Sequence, residues 1–370
     1  MRFEKDWGRL GLKFEELSQV SSYVSERIRI DEVNLDNYVS TENMISERGG
    51  VTKATKLPSG KTISVFQKGD ILISNIRPYF KKIWLADKSG GCSNDVLVVR
   101  ANEKISNRFL YYVLSSDNFF DYAVGTSKGT KMPRGDKKAI MKYKVPIYSL
   151  VEQEKIAEVL RAFDKKIILN KQINHHLEQM AITIFESMFT NVSSGQTTIG
   201  KYIIPKRGKN LLSKDAISGR VPVVAGGLQP STFHNIANTE HPVLTISASG
   251  ANAGYVNLWH VPVWASDSSY IDSKMTDNVY FWYVMLKRRQ QEIYDSQTGS
   301  AQPHIYPKHI EIMPTIELSK KEINLFTKRV TPLFKTVGNN LEEIKKLQNL
   351  RESLLPKLLS GEISVNQATK

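Results

Sequence analysis

The sequence predicts an α+β protein built as a tandem repeat. Two mixed α/β globular units are joined and separated by two long helices, which pair as an antiparallel coiled coil and relate the halves by a pseudo-twofold. Three observations carry this prediction. Ile156, Leu160, Phe163, Ile167, Asn170, Asn174, Leu177, Ala181 and Ile184 advance by alternating fours and threes. Adding 170 to each number gives Phe326, Val330, Leu333, Val337, Asn340, Ile344, Leu347, Arg351 and Leu354, a second seam of the same spacing. Such spacing lines one stripe of a helix, the stripe that faces a partner helix. Finally, the chain ahead of each seam runs in the same order: strand, glycine-rich turn, strand, helix, polar loop, proline, long helix.

In the first unit, Asp70-Ile-Leu-Ile-Ser and Asp95-Val-Leu-Val-Val read as short strands, bounded by Gly69 and by Gly90-Gly91. Asn107-Arg-Phe-Leu-Tyr-Tyr-Val-Leu has helical spacing behind a capping-type residue. Val145-Pro146-Ile147 closes the unit, and a helix over about 150–188 follows. At 1.5 Å per residue it is about 57 Å long, too long to hide within a domain of this size. Thr190 to Thr198 is a polar, turn-rich linker. The second unit repeats the theme with Pro222-Val-Val-Ala-Gly-Gly, Pro242 to Val256, and the helix Tyr280-Phe-Trp-Tyr-Val-Met-Leu. The second helical region starts near Ser319. Pro332 should break or kink it, because the ring removes a donor and clashes with the preceding turn. That leaves an unbroken stretch of about 334–358 ending at Gly361, a C-cap-type residue. Asn170 and Asn340 share one seam position. Buried, they fix register at a cost in stability; turned sideways, they reach water.

The 370 residues suffice for two ordinary domains. At 41% hydrophobic the chain can build cores, and no 18-residue apolar run suggests a membrane span. Met1 to Trp7 lacks the apolar segment of a signal peptide, and Cys92 is the single cysteine, so a cytoplasmic protein without disulfides is expected. The net charge of +14 points to a polyanionic partner, nucleic acid first. That charge is uneven. Residues 1–150 hold 25 Lys/Arg against 17 Asp/Glu, whereas residues 151–195 hold five against six. Within 125–144, Lys128, Lys131, Arg134, Lys137, Lys138, Lys142 and Lys144 face one acid, Asp136, among Gly125, Gly129, Pro133 and Gly135. A basic, glycine-containing loop fits phosphate contact, and composition alone leaves a plain solvated loop as an equal reading.

No catalytic set emerges. Gly195-Gln-Thr-Thr-Ile-Gly-Lys201-Tyr202 nearly matches a phosphate loop, but Tyr202 lacks the small hydroxyl that holds magnesium, and no apolar strand precedes Gly195. The histidines His175, His176, His234, His241, His260, His304 and His309 show no metal-ligand spacing, so no metal site is expected. Asn75-Ile-Arg-Pro-Tyr-Phe only faintly echoes the Asn-Pro-Pro-Tyr element of adenine methyltransferases, and no glycine-rich cofactor loop accompanies it. The chain is expected to do no chemistry itself.

Three segments resemble one known family. Leu350-Arg-Glu-Ser-Leu-Leu-Pro-Lys-Leu-Leu-Ser-Gly-Glu-Ile is similar to the C-terminal signature of the specificity subunits of type I restriction-modification systems. Val145-Pro-Ile with Glu152-Gln153 and Ile156-Ala157 resembles their central conserved region. Thr245 to Val256 resembles the strand-turn-strand of their target recognition domains. The resemblance implies target recognition domains at 1–147 and 191–318, a central conserved helix at 148–190, and a C-terminal conserved helical region at 319–370. It implies a non-catalytic subunit that reads a bipartite, asymmetric site in double-stranded DNA and docks two modification subunits, with restriction subunits possible. No cofactor is expected in this chain. S-adenosylmethionine, ATP and magnesium belong to the partners, which methylate adenine and translocate and cleave DNA.

Base edges are read by Arg, Lys, Asn and Gln, and phosphates are held by Lys, Arg and small polar groups. In the first unit the expected DNA contacts are Arg77, Tyr79, Lys81, Lys82, Lys128, Lys131 and Arg134. In the second they are Lys206, Arg207, Lys209, Ser249, Asn252, Gln302 and His304, the last two because the polar loop 296–304 is the positional counterpart of 125–134. The alternative is a protein-interaction scaffold carrying two recognition modules on a coiled-coil spacer.

Overall fold

A computed structural model describes residues 12–299 and 302–368, the side chain of Ser213 excepted. Residues 1–11 of the expected first domain, 369–370 of the C-terminal region, and Ser300 and Ala301 of the polar loop lie outside the described residues. The chain divides into two compact units, one reaching Ile167 and resuming at Lys345, the other Ile168–Ile344.

The first unit contains β1 (Lys13–Glu16), α1 (Leu17–Val20), β2 (Ser21–Tyr23), β3 (Arg27–Arg29), β4 (Tyr38–Val39), β5 (Thr62–Phe66), β6 (Ile71–Ser74), β7 (Ile83–Leu85), β8 (Gly90–Cys92) and β9 (Val96–Ala101). There follow α2 (Asn107–Ser115), α3 (Asp117–Gly125), α4 (Lys137–Ile140), β10 (Lys144–Ile147) and the start of α5 (Leu150–Met188). One sheet has the order β2-β9-β6-β7, a second β3-β5-β8-β4, and β1 pairs with β10. Successive strand residues point to opposite faces. Ile71, Ile73, Leu97 and Val99 therefore enter a core with Phe109, Leu110, Val113, Phe119 and Phe120 of α2 and α3. Leu72, Val96 and Val98 face the other way, onto Phe66, Val39 and Cys92 of the second sheet. The central sheet is buried on both sides, which is why its strands are continuous apolar runs.

The second unit repeats this plan. It comprises β11 (Thr197–Thr198), β12 (Lys206–Arg207), β13 (Val221–Val224), β14 (Thr232–His234), β15 (Val243–Ser247), β16 (Val256–Trp259), β17 (Trp264–Ala265) and β18 (Ser268–Asp272). Then come α6 (Val279–Arg288), α7 (Gln290–Asp295), α8 (Pro307–Glu311), β19 (Pro314–Thr315) and α9 (Lys320–Ser360), whose residues from Lys345 onward, with α10 (Val365–Ala368), belong to the first unit. The order β12-β18-β15-β16 matches β2-β9-β6-β7 strand for strand, and β11 pairs with β19 as β1 does with β10. In both units a short parallel pair forms part of the second sheet, β4 with β8 and β13 with β17. Leu244, Ile246, Val256 and Ile271 meet α6, whose residues Val279 to Leu286 are all buried.

All eighteen seam positions are buried or half-buried. The seam does more than join helix to helix. Ile156, Ala157 and Leu160 of α5, with Leu355, Leu358 and Leu359 of α9, complete the core of the first unit. Ala181 and Phe185 of α5, with Phe326, Val330 and Phe334 of α9, complete that of the second. In the second unit the Asn170 amide donates to Glu343 Oε2 (2.7 Å) and the Asn340 amide to Asn174 Oδ1 (2.8 Å). Numbers fall on one helix as they rise on the other, so these segments are antiparallel. The two asparagines of like position meet different partners, because an antiparallel pair brings Asn340 opposite Asn174. In the first unit Arg351, a charge in the seam, is held by Asp164 (2.6 Å), which also accepts from the Tyr112 hydroxyl (2.7 Å).

The expected break at Pro332 is absent: α9 runs unbroken for 41 residues, against 39 in α5. Pro332 is exposed, and Lys328, whose carbonyl loses its helical donor, is exposed as well. Water can serve that carbonyl, while Val330 and Phe334 bury the opposite face. The phosphate-loop-like run also has a structural reason. A Cβ on Gly195 would lie 2.0 Å from the Thr315 carbonyl oxygen, and Lys201 is paired with Glu317 (2.7 Å), which also accepts from the Tyr202 hydroxyl (2.8 Å).

Asn174→Ala strips the half-buried Asn340 amide of its partner and should cost about 1–3 kcal/mol, seen as a lower urea midpoint. Replacing Asn174 and Asn340 together by leucine removes both polar groups and should recover most of that loss.

Candidate nucleic-acid interface

The strongest surface feature is one loop built twice. In the first unit, Lys128 and Arg134 exchange both backbone hydrogen bonds at 2.9 Å, closing a narrow hairpin over Gly129 to Pro133. The Arg77 amide donates to the Pro133 carbonyl (2.8 Å) and the Gly135 amide to the Asn75 carbonyl (3.1 Å), which ties the hairpin to the turn after β6. In the second unit, Thr298 and His304 exchange the same bonds (3.1 and 2.8 Å). The Gly250 amide donates to the Pro303 carbonyl (3.1 Å) and the Ile305 amide to the Ala248 carbonyl (2.9 Å). Lys128 thus corresponds to Thr298, Pro133 to Pro303 and Arg134 to His304, each 170 residues apart. Gly129 (φ 93°) and Gly299 (φ 97°) supply the left-handed residue each turn needs.

Of the residues expected to contact DNA in the first unit, Arg77, Tyr79, Lys128, Lys131 and Arg134 are exposed on or beside the hairpin. Arg77 and Lys81 both have φ 50° and bracket the single 3-10 turn Pro78–Phe80. Non-glycine residues held there are strained and cluster at functional sites. Lys81 and Lys82 are engaged elsewhere. Lys81 pairs with Asp117 (2.7 Å), which also holds Arg48, and Lys82 donates to the Thr41 carbonyl (2.6 Å), burial lowering its pKa. In the second unit Lys206, Lys209 and Gln302 are exposed. Arg207 pairs with Asp267 (2.6 Å), which also accepts from the Ser249 hydroxyl. The Asn252 amide reaches the Gly226 carbonyl (3.4 Å). His304 is stacked on Tyr306, with ring centroids 5.9 Å apart.

Sequence reasoning gave no role to three acids. Asp95 and Asp267 occupy the same place, just ahead of β9 and β18. Their carbonyls accept from the Asn75 and Ala248 amides at 2.8 and 3.1 Å. Asp95 pairs with Arg134 (3.1 Å), as Asp267 does with Arg207. Aligning the repeats would have shown an acid at this point in both, in Ser-Asn-Asp95 and Ala-Ser-Asp267. The third, Asp136, caps α4 through the Lys138 and Ala139 amides (3.0 and 3.1 Å) and pairs with Lys128 (2.7 Å).

Residues 30–179 match the family model of the type I restriction modification DNA specificity domain. The chain is 24% identical over 375 residues to the type I restriction enzyme MjaIX specificity subunit of Methanocaldococcus jannaschii, covering 90% of this chain and 86% of that one. It is 22% identical over 454 residues to the HindI specificity subunit of Haemophilus influenzae, covering 94% and 98%. The chain is thus similar to type I specificity subunits over most of its length. The crystal structure of the S subunit of the type I restriction-modification system from M. genitalium shares the fold, with a TM-score of 0.59 at 19% identity over 94% of this chain and 96% of that one. In this chain the match to a DNA specificity domain lies within the first globular unit and most of α5. Among its described residues no helix is long and apolar enough to cross a membrane.

The Lys128 ammonium and two backbone amides hold the Asp136 carboxyl down to about 2. A depressed carboxylate adds stability above its unfolded value, about 3.9, and loses it as pH falls through the folded value. The hairpin's tie to α4 should therefore persist through neutral and mildly acid pH and fail between about pH 4 and pH 2. In a carboxyl NMR titration Lys128→Ala should move the Asp136 midpoint upward, though short of about 3.9, since the capping amides remain.

Proposed function

We propose that this chain is a type I specificity subunit that reads an asymmetric, bipartite site in double-stranded DNA, one short block per unit, and docks two adenine-methylating modification subunits, with restriction subunits able to join. The observation that carries this reading is the duplicated hairpin. Its backbone frame is the same in both units, while its side chains differ: Lys128, Lys131 and Arg134 in one, Thr298, Gln302 and His304 in the other. Two copies of one frame bearing unlike readers suit a target whose two blocks differ. S-adenosylmethionine, ATP and magnesium then belong to the partner subunits, and the complex works in the cytoplasm.

Docking is supported by α5. Ile168, Leu169, Ile173 and Met180 lie exposed along it, more apolar surface than a solvated helix needs. The net charge of +14 supports the DNA partner, since phosphate contact supplies most sequence-independent affinity.

Modification mapping tests the reading directly. Co-expressed with its modification subunit in a methylation-free host, the chain should direct methyladenine to a single split motif. Exchanging residues 1–147 for those of another specificity subunit should change one block only. Soluble, co-purifying subunits that leave the genome unmethylated would overturn the proposal. Separately, Lys128→Ala with Lys131→Ala should weaken DNA binding at every sequence and lower the salt slope by about 1 for each phosphate that is no longer neutralised. An unchanged slope would remove the hairpin from the interface.

A further inference from the structure

Arg134 and Arg207 differ from the nearby Lys131, Lys206 and Lys209, because each has a carboxylate behind it. Arg134 Nη2 lies 3.1 Å from Asp95 Oδ1, and Arg207 Nη2 lies 2.6 Å from Asp267 Oδ1. In both pairs the guanidinium is the more exposed member, at 55% against 36% for Asp95 and 41% against 32% for Asp267. Among the described residues neither guanidinium has another hydrogen-bond or ion-pair partner. Each therefore meets its acid through one nitrogen, Nη2, and four of its five donors, a parallel pair among them, stay free.

The acid is the constant part of this device. Asp95 and Asp267 hold the same backbone position in the two repeats, yet their arginines arrive by different routes. In the first unit the arginine comes from the hairpin. In the second the hairpin carries His304 at that place, and the arginine comes from β12, the edge of the central sheet. Two independent placements of an arginine against one repeated carboxylate are not accounted for by surface ion pairing, which is worth little. A carboxylate that fixes the plane of a guanidinium leaves it ordered before DNA arrives. An arginine with a fixed plane and two parallel donors matches O6 and N7 of guanine in the major groove. A phosphate needs only positive charge, which the exposed Lys131, Lys206 and Lys209 provide.

We propose that Arg134 and Arg207 are base-reading side chains, one per unit, each aimed at guanine by the acid ahead of β9 or β18, Asp95 or Asp267, while the neighbouring lysines hold phosphate. This rests on the reading of the chain as a two-block DNA reader. Asp95 and Asp267 are positioning residues that need not touch DNA.

The test is selection from a randomised duplex pool by the full-length chain in complex with its modification subunit. Wild type should yield a split motif with a guanine in each block; a pool with no motif would overturn the DNA-reading proposal itself. Arg134→Lys keeps the charge but loses the fork, and should lower the preference for guanine at one position about 10-fold or more, leaving the other block intact. Arg207→Lys should do the same in the other block. Asp95→Asn should weaken the same position as Arg134→Lys, and Asp95→Glu should partly restore it. Lys131→Ala, as the contrast, should lower affinity evenly with the motif unchanged. An even loss for Arg134→Lys or Arg207→Lys would make these arginines phosphate contacts and overturn the inference. An intact guanine preference in Asp95→Asn would remove the acid from the device. Equal melting temperatures across the set exclude misfolding.

Discussion

Neither unit can complete its core without the two long helices. The first unit needs Ile156, Ala157 and Leu160 from α5 and Leu355, Leu358 and Leu359 from α9. The second needs Ala181 and Phe185 from α5 and Phe326, Val330 and Phe334 from α9. Burying a large aliphatic or aromatic side chain is worth about 1.5–3 kcal/mol, so this packing makes the helices integral to both cores. The polar pairs work differently. Asn170 with Glu343, Asn174 with Asn340 and Asp164 with Arg351 add little net stability, yet each leaves an unpaired buried group if the register slips. Apolar packing holds the helices in, and the polar pairs specify which residues face each other.

On this scaffold the repeat has been kept and altered in different places. Kept are the four-stranded central sheet, the closing ribbon, the hairpin with its left-handed glycine, and the acid ahead of β9 and β18. Altered are the groups that face outward: Lys128 against Thr298, Arg134 against His304, Asp136 against Tyr306. Where the first unit places the polar set Asp164, Tyr112 and Arg351, the second packs Tyr283 edge-on against Phe334, with ring centroids 5.7 Å apart. What repeats is the machinery of presentation, and what varies is what is presented.

The long helices were legible in the sequence because a seam of eighteen positions repeats one period, and a period survives local irregularity. Pro332 misled for the same reason in reverse. A local rule predicted a break, while packing on either side of the proline and its exposed position allowed the helix to continue. Strands of two or three residues, such as β4 and β17, carry no period and appear only through their pairing. The hairpins were found as basic or polar loops, but their frame consists of backbone bonds to a turn more than forty residues away, which no local pattern contains. Lys81 and Lys82 read as free charges because Asp117 and the Thr41 carbonyl are near them only in space. Asp95 and Asp267 were missed because their meaning lies in partners supplied by distant segments.

The hairpin frame has a consequence for how such a chain changes over generations. Lys128 with Arg134 and Thr298 with His304 are joined through main-chain atoms, as are the ties to Asn75, Arg77, Ala248 and Gly250. Apart from the glycine and the proline, the frame asks little of the side chains it displays. Substitutions there change chemistry at the surface without loosening the architecture beneath. Lineages can therefore sample new displays one residue at a time, each intermediate remaining a folded protein, and innovation need not await stabilising changes elsewhere.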